Sequence, residues 1–536
     1  MDRVVIVGSG PSGAHFALSV LQKGYDVTLL DVGYAKPPAV NPEDNFIALK
    51  RNLADPVGYF LGEDYEGVVL PNPKKEYYGI PPSKSFALRR PRGFAFDSRG
   101  FAPFFSFAAG GIAEVWTGGC YPFNAEEIAD FPFDFSELLR CYGEVARRIG
   151  VIGVEDDLAR FFPRHDGLLP PLELDFHSAR LMDDYARRRA HLNAKLRCYL
   201  GRTRIATLSR DLGARKKCAS LGRCLWGCPN GAFYTPSLTL DECRAFPNFR
   251  YLPGLRVSHF RCDSARRVTH VVAFPAEGGP PQEIPVERLV LAAGTLCSSQ
   301  IYLESIYRST GELLRLPGLM DNRQILMPFV NLHLLGKPYN PESYQYHQLG
   351  LGIDTGDPKG YVHGQITTLK TAMLHPIMQN LPCDLCTARF LVDHLHTALG
   401  VINVNLHDTR RPGNYLTISP SKDSGPSQLV MHYEPAPEEE ARVRWAISTV
   451  RKALLALGCV VPPGMLHVRP MGASVHYAGT LPMSRTPGRH TTSELCQSHE
   501  FPNLFLVDGA TYPFLPAKNV TFTLMANAIR VAERAF

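Results

Sequence analysis

Two hydrophobic patterns run along this chain, and they predict two different kinds of sheet. Val4 to Val7 is a short unbroken apolar run that reads as a parallel strand buried on both faces. Asp26 to Asp31, Arg288 to Gly294 and Asn503 to Val507 read as further strands of that sheet. Elsewhere apolar and polar residues alternate, in Ile325 to His333, Val401 to His407 and Asn414 to Ile418, which predicts a large antiparallel sheet with one polar face. Glu438 to Leu457 and Val520 to Arg534 carry apolar residues at helical spacing and read as packed helices.

The first run breaks on Gly8-Ser9-Gly10-Pro11-Ser12-Gly13, a spacing with a physical reason for each glycine. Gly8 permits a sharp turn, Gly10 lets backbone approach a pyrophosphate, and Gly13 lets helix and strand pack closely, with Ser12 in the turn. The helix start presents free N–H groups and its positive dipole end to phosphates. Asp31, ending the second strand, is placed to accept from both ribose hydroxyls, which favours FAD or NAD over NADP. A second glycine-rich segment, Ala109 to Gly119, contains Gly110, Gly111, Ile112, Trp116, Thr117, Gly118 and Gly119. Such glycine density suits backbone lying flat against a planar ligand. Arg288 to Gln300, with Ala293 and Gly294 at its turn, reads as strand, glycine turn and helix, and Asp508-Gly509 closes the last strand.

Composition narrows the class without deciding the chemistry. A chain of 536 residues that is 45% hydrophobic is large enough for two intergrown domains. The net charge of +6 is spread thinly, so no nucleic-acid partner is expected. No run approaches the ~18 apolar residues of a membrane span. The first strand begins almost at Met1, so no signal peptide is expected, and with thirteen scattered cysteines the expectation is a soluble cytoplasmic protein.

On these segments, in this order along the whole chain, the sequence resembles the glucose-methanol-choline (GMC) oxidoreductases, FAD enzymes that oxidise alcohols. The resemblance adds His476-Tyr-Ala-Gly479-Thr480, and Asn519, eleven residues beyond Asp508, as the pair beside the flavin. It implies an α/β fold: a discontinuous FAD-binding Rossmann-like domain (1–151, 205–315, 469–536) intergrown with an α+β substrate domain (152–204, 316–468) containing the antiparallel sheet. The implied cofactor set comprises Gly8, Gly10, Ser12, Gly13, Asp31, Gly111, Ile112, Trp116, Thr117, Val257, Ala293, Gly294, Asp508, Gly509 and Val520. Some sugar-oxidising members attach FAD through a histidine at the position of Val115, so non-covalent FAD is expected here. Family members frequently have proline where this chain has Val520.

The chemistry asked of His476 follows from the acidity of an alcohol. An aliphatic hydroxyl is a poor acid, so a base must sit within hydrogen-bond reach while hydride leaves for flavin N5, and histidine titrates near neutrality. Asn519 is expected to hydrogen-bond the substrate oxygen, and the helix beginning at Val520 to face the flavin's N1 and C2 carbonyl. The polar strands and the Trp116 segment point to a sugar, glycoside or polyol. Cys224 to Ala232 resembles a segment of long-chain-alcohol members, which keeps a long-chain or alicyclic alcohol as the alternative, with a flavin-dependent lyase as another. The electron acceptor is oxygen or another oxidant. Phe94 to Gly111 is expected to act as a lid, and His333, His407, Tyr344 and Tyr346 are candidates to line the substrate side. No metal is expected at Cys218, Cys224 and Cys228, and Cys383-Asp-Leu-Cys386 with His394 and His396 stays open as a zinc candidate.

Overall fold

The computed structural model describes residues 3–67, 76, 78–344, 346–372, 374, 378, 381–421 and 425–536. The unbroken apolar runs form a five-stranded sheet, parallel throughout, in the order Leu504–Leu506, Arg288–Leu291, Arg3–Val7, Asp26–Leu30, Phe249–Leu252. Its strands lack alternation because both faces are covered. Val4 and Ile6 pack into one core with Phe16 of helix Pro11–Gln22 and Met525 of helix Thr521–Ala535. Val5 and Val7 face the other way, into a core with Leu296 and Ile301 of helix Thr295–Thr310.

The alternating runs build a seven-stranded antiparallel sheet. Its central path runs Arg323–Asn331, Leu399–Leu406, Val362–Thr368, Leu349–Ile353, Cys198–Arg202. Ile325, Met327, Ile402, Val404 and Ile366 form one face and pack on helices Phe176–Leu196 and Glu439–Ala456. The next residue along each strand turns the other way, so Gln324, Asn405, Asn403, His363 and Gln365 make the opposite face polar. Tyr415–Ser419 belongs instead to a four-stranded sheet with Leu316–Pro317, Gln428–His432 and Phe96–Arg99. That corrects the expectation of one sheet for all three alternating runs. Periodicity identifies a half-buried strand but not its partners. The small sheet also joins a strand from before residue 151 to strands from after residue 316. No helix among the described residues is long and apolar enough to cross a membrane.

Candidate active site

A cleft of about 1300 Å³, open to solvent, runs along the carboxyl ends of the parallel strands, where open α/β sheets bind ligands. Gly8, Gly10, Ser12, Asp31, Gly111, Ile112, Val257, Ala293, Gly294, Asp508, Gly509 and Val520 all line it. The glycine turn divides into packing and non-packing positions. Gly8 has φ +99° and packs on the Ala292 carbonyl, and a Cβ on Gly13 would overlap the Gly8 carbonyl. Around Gly10 a Cβ would meet no protein atom within 4 Å. Glycine there answers to something outside the protein's own packing, as a pyrophosphate cradle requires.

Asp31 is bonded by the Ser9 hydroxyl and, at 3.3 Å, by Tyr251, while burial raises its carboxyl to about 6. Asp508 plays a local structural part: Ser298 donates to it at 2.5 Å and Ala510 N at 3.0 Å, tying the last strand to the turn at Gly294. Trp116 and Thr117 are set back from the cleft; Trp116 Nε1 donates to the Tyr234 carbonyl at 2.8 Å and its ring packs near Phe233. The segment expected to act as a lid is tied down at Ala102 and Ala109. Ala109 N donates to Tyr34 O and Ala102 N to Met471 O, and Phe94 packs on Phe105 and Phe107.

His476 and Asn519 stand beside the cleft, whose lining includes their neighbours Val475, Tyr477, Val520 and Thr521. Three sets of bonds fix the His476 segment. Gly479 N and Leu481 N donate to Gly509 O and Ala510 O, and Met320 and Ala478 bond each other's backbones. The buried Asp321 carboxylate accepts from Gly472 N at 2.6 Å, from Ser474 Oγ and from His476 N at 3.3 Å. Burial raises Asp321 to about 7. Val475 has φ +69°, an unusual conformation for a β-branched residue, and it turns the chain directly before His476.

The imidazole itself meets Asn322, whose Oδ1 lies 3.0 Å from Nδ1. Burial, reinforced by the Arg469 charge, lowers His476 to about 4, so the ring is neutral at pH 7. Nε2 has no hydrogen-bond partner among the described residues. Asn519 is half-buried, and Gln365 Nε2 donates to its Oδ1, which leaves Asn519 Nδ2 without a partner among the described residues. Beside it Lys518, fully buried, donates to Glu127 at 2.6 Å and to the carbonyls of Pro122 and Phe161. The polar face of the seven-stranded sheet meets Asn519 through Gln365.

Asp321, Asn322, Gln365, Lys518 and Arg469 are site residues that sequence reading missed. The available signal was polar residues at alternate strand positions, which marks a face without saying what it meets. His333 lies outside its strand in a turn beside Gly458 and Asp184, and His407 bonds Arg442. Tyr344 and Tyr346 are buried with Phe233 and Cys224. Cys383 and Cys386 are exposed, while His394 bonds the Phe390 carbonyl and His396 the Leu369 carbonyl. Among the described residues no group of three or more His, Cys, Asp or Glu is arranged to hold a metal ion.

The family model described as GMC oxidoreductase matches residues 410–528, the stretch that holds His476, Asp508 and Asn519. The chain is 24% identical over 569 residues to 2-methyl-1,2-propanediol dehydrogenase of Mycolicibacterium austroafricanum, covering 99% of this chain and 94% of that protein. It is 23% identical over 556 residues to paromamine 6'-oxidase of Streptomyces fradiae, covering 99% and 90%. Among solved structures it resembles pyridoxine 4-oxidase from Mesorbium loti, with TM-score 0.60, 16% identity and coverage of 100% and 99%. It also resembles formate oxidase of Aspergillus oryzae RIB40, with TM-score 0.62, 12% identity and coverage of 99% and 98%. Residues 410–528 thus match the GMC oxidoreductase family model, and the relatives matched along the whole chain are oxidoreductases.

Proposed function

We propose that the protein oxidises an alcohol to a carbonyl with non-covalently held FAD, with His476 as general base and Asn519 as the donor to the substrate oxygen. The observation that carries this reading is that a neutral histidine and a carboxamide nitrogen with no hydrogen-bond partner among the described residues each adjoin residues lining one glycine-rich cleft. FAD supplies the hydride acceptor. The glycine turn and helix Pro11–Gln22 hold its pyrophosphate, Asp31 its ribose, and Gly111, Ile112, Val257, Ala293, Gly294, Asp508, Gly509 and Val520 the rest of the molecule. Trp116 and Thr117 support that wall from behind. Residues 1–151, 205–315 and 469–536 form the cofactor domain in this reading, and 152–204 with 316–468 the substrate domain.

With the His476 proton on Nδ1, the Nε2 lone pair takes the hydroxyl proton as hydride leaves the carbinol carbon. Asn519 Nδ2 donates to the same oxygen, stabilising alkoxide character without adding a competing charge. The start of helix Thr521–Ala535 presents N–H groups to the cofactor side.

A sugar, glycoside or polyol is the favoured substrate, because the sheet face that meets Asn519 through Gln365 also carries Gln324, His363, Asn403 and Asn405. An aliphatic or sterol-like substrate would leave the atoms of that face that have no partner among the described residues, His363 Nε2, Gln365 Oε1, Asn403 Oδ1 and Asn405 Nδ2, unsatisfied. The relatives named for a propanediol and for paromamine agree with this preference. The test is anaerobic mixing of FAD-loaded protein with sugars, polyols, sterols and aliphatic alcohols, following the flavin band. Bleaching by polyhydroxylated compounds is expected. Bleaching by sterols alone would reverse the substrate choice, and bleaching by none would remove the oxidation reading. Admitting air afterwards separates oxidase from dehydrogenase.

A further inference from the structure

We propose that Gln365 and Asn403 form a substrate subsite that accepts a hydrogen bond from a second O–H or N–H group, one or two carbons from the carbinol being oxidised. This inference rests on the alcohol-oxidation reading and narrows its substrates to diols, amino alcohols and the sugars that contain them.

The two residues face each other across neighbouring antiparallel strands in direct register. Directly opposed residues project on the same face with their Cβ atoms about 5 Å apart. Gln365 is only 1% exposed, and its Nε2 is given to Asn519, so its Oε1 is the end left over. That Oε1 and Asn403 Oδ1 are both buried carbonyl oxygens with no hydrogen-bond partner. An orphaned buried acceptor costs about 1–3 kcal/mol, a cost that a bound donor removes.

Their missing partner must be a donor, and neither oxygen is hydrogen-bonded by Lys518 or Arg469. Lys518 has three acceptors, and Arg469 holds Glu76 at 2.6 Å and also bonds Gln324. Asn403 is half-buried, so the pair sits where the polar face begins to open. The adjoining cross-strand row has the opposite polarity. Gln324 pairs with Asn405, and Asn405 Nδ2 and Arg469 Nη2 are unpartnered donors. A face with leftover acceptors in one row and leftover donors in the next is matched by a molecule bearing several hydroxyls, since each hydroxyl offers both.

The position of the second group follows from the bond between Gln365 and Asn519. Asn519 Nδ2 holds the reacting oxygen, and Gln365 carries its free acceptor on the same amide that fixes Asn519. The two substrate heteroatoms are therefore a few ångströms apart, the span of neighbouring or next-neighbouring carbons.

The test compares 2-methyl-1,2-propanediol with 2-methyl-1-propanol, a pair differing by one hydroxyl, in anaerobic flavin reduction at equal sub-saturating concentrations. The diol is expected to react at least ~10-fold faster, a site built around a hydroxyl discriminating against its absence. Asn403→Leu is expected to bring the diol-to-monol ratio close to one. A ratio near one in the parent protein, or a ratio unchanged by Asn403→Leu, would overturn the subsite. Thermal denaturation gives an arm independent of turnover. Replacing an orphaned polar group by an apolar one of similar size is expected to leave the Tm unchanged or higher. A Tm lowered by several degrees would mean Asn403 serves the fold, and would also overturn it. Flavin reduced by neither alcohol nor any other polyol removes the oxidation reading, while the Tm arm still decides whether Asn403 is held for a ligand.

Discussion

Asn322 fixes which nitrogen of His476 carries the proton. Its Nδ2 donates to the carbonyls of Leu406, at 3.1 Å, and Pro516, at 2.8 Å. Both amide hydrogens are thereby used, and only the oxygen is left to face His476 Nδ1 at 3.0 Å. An oxygen facing a ring nitrogen demands N–H on that nitrogen, so the lone pair is on Nε2. Asn322 acts through His476, as a positioning residue.

Replacing that amide by a carboxylate tests the arrangement. Asn322→Asp puts a negative charge beside Nδ1 and favours the imidazolium. The acid limb of the flavin-reduction rate is expected to move up by a unit or more. The lost donors to Leu406 and Pro516 should cost roughly 1–3 kcal/mol of stability. A pH profile that stays in place, with FAD retained, would mean Asn322 does not control the base.

The unmodified enzyme should stay active well below the usual histidine range. With His476 held at about 4, its base form persists through pH 5, and the rate should fall only as pH approaches 4. Linkage gives an independent sign. A histidine lowered from about 6.5 when unfolded binds fewer protons folded, so its contribution to stability is lost as pH falls from about 6.5 toward 4. Arg469→Gln removes the charge that reinforces the shift and should move the limb upward. A limb near 6.5 in the parent protein would show that burial does not control this ring.

Two glycines three residues apart should respond oppositely to one methyl group. Gly13→Ala drives a Cβ into the Gly8 carbonyl and is expected to destabilise the fold by more than about 2 kcal/mol. Gly10 has φ −60° and open space around the added Cβ, so Gly10→Ala should fold normally. Its defect should appear in FAD content, read as the ratio of flavin to protein absorbance after gel filtration. Full FAD occupancy in Gly10→Ala would remove the cradle assignment.

The contrast between these glycines was legible before any coordinates because a strand, turn and helix are local in sequence. Asp31 was legible from the same local pattern, whereas Asn519 was legible only through the family resemblance. Asn322 and Gln365 were not legible: each lies 154 residues from the partner it positions, His476 and Asn519 respectively. Alternation of polar residues marked the sheet face that holds Gln324, Asn403 and Asn405, but sheet order is a tertiary outcome. It placed Tyr415–Ser419 elsewhere despite the same pattern. Trp116 shows the reverse limit. A conspicuous aromatic between glycine pairs is used to pack on Phe233 and to bond Tyr234, behind the wall of the cleft.

Lys518 gives the last prediction, because its charge is fully buried one residue before Asn519 and balanced by a single carboxylate. Lys518→Met should cost about 3–5 kcal/mol, less for the loss of the pair than for leaving Glu127 buried without a cation. Burial already pushes the Glu127 carboxyl above its ordinary value even with Lys518 present, and removing the cation pushes it further. A carboxyl whose folded value is raised binds more protons folded than unfolded, so the variant should regain stability as pH falls toward about 4.5. Adding Glu127→Gln to Lys518→Met should recover part of the loss at neutral pH without acid. The deficit that remains in the double variant measures the carbonyls of Pro122 and Phe161 left without their donor. Equal stability of single and double variants across the pH range would show that the fold draws nothing from this pair. Flavin reduction reads the consequence for Asn519, since a loosened turn should lower the limiting rate more than it weakens FAD binding.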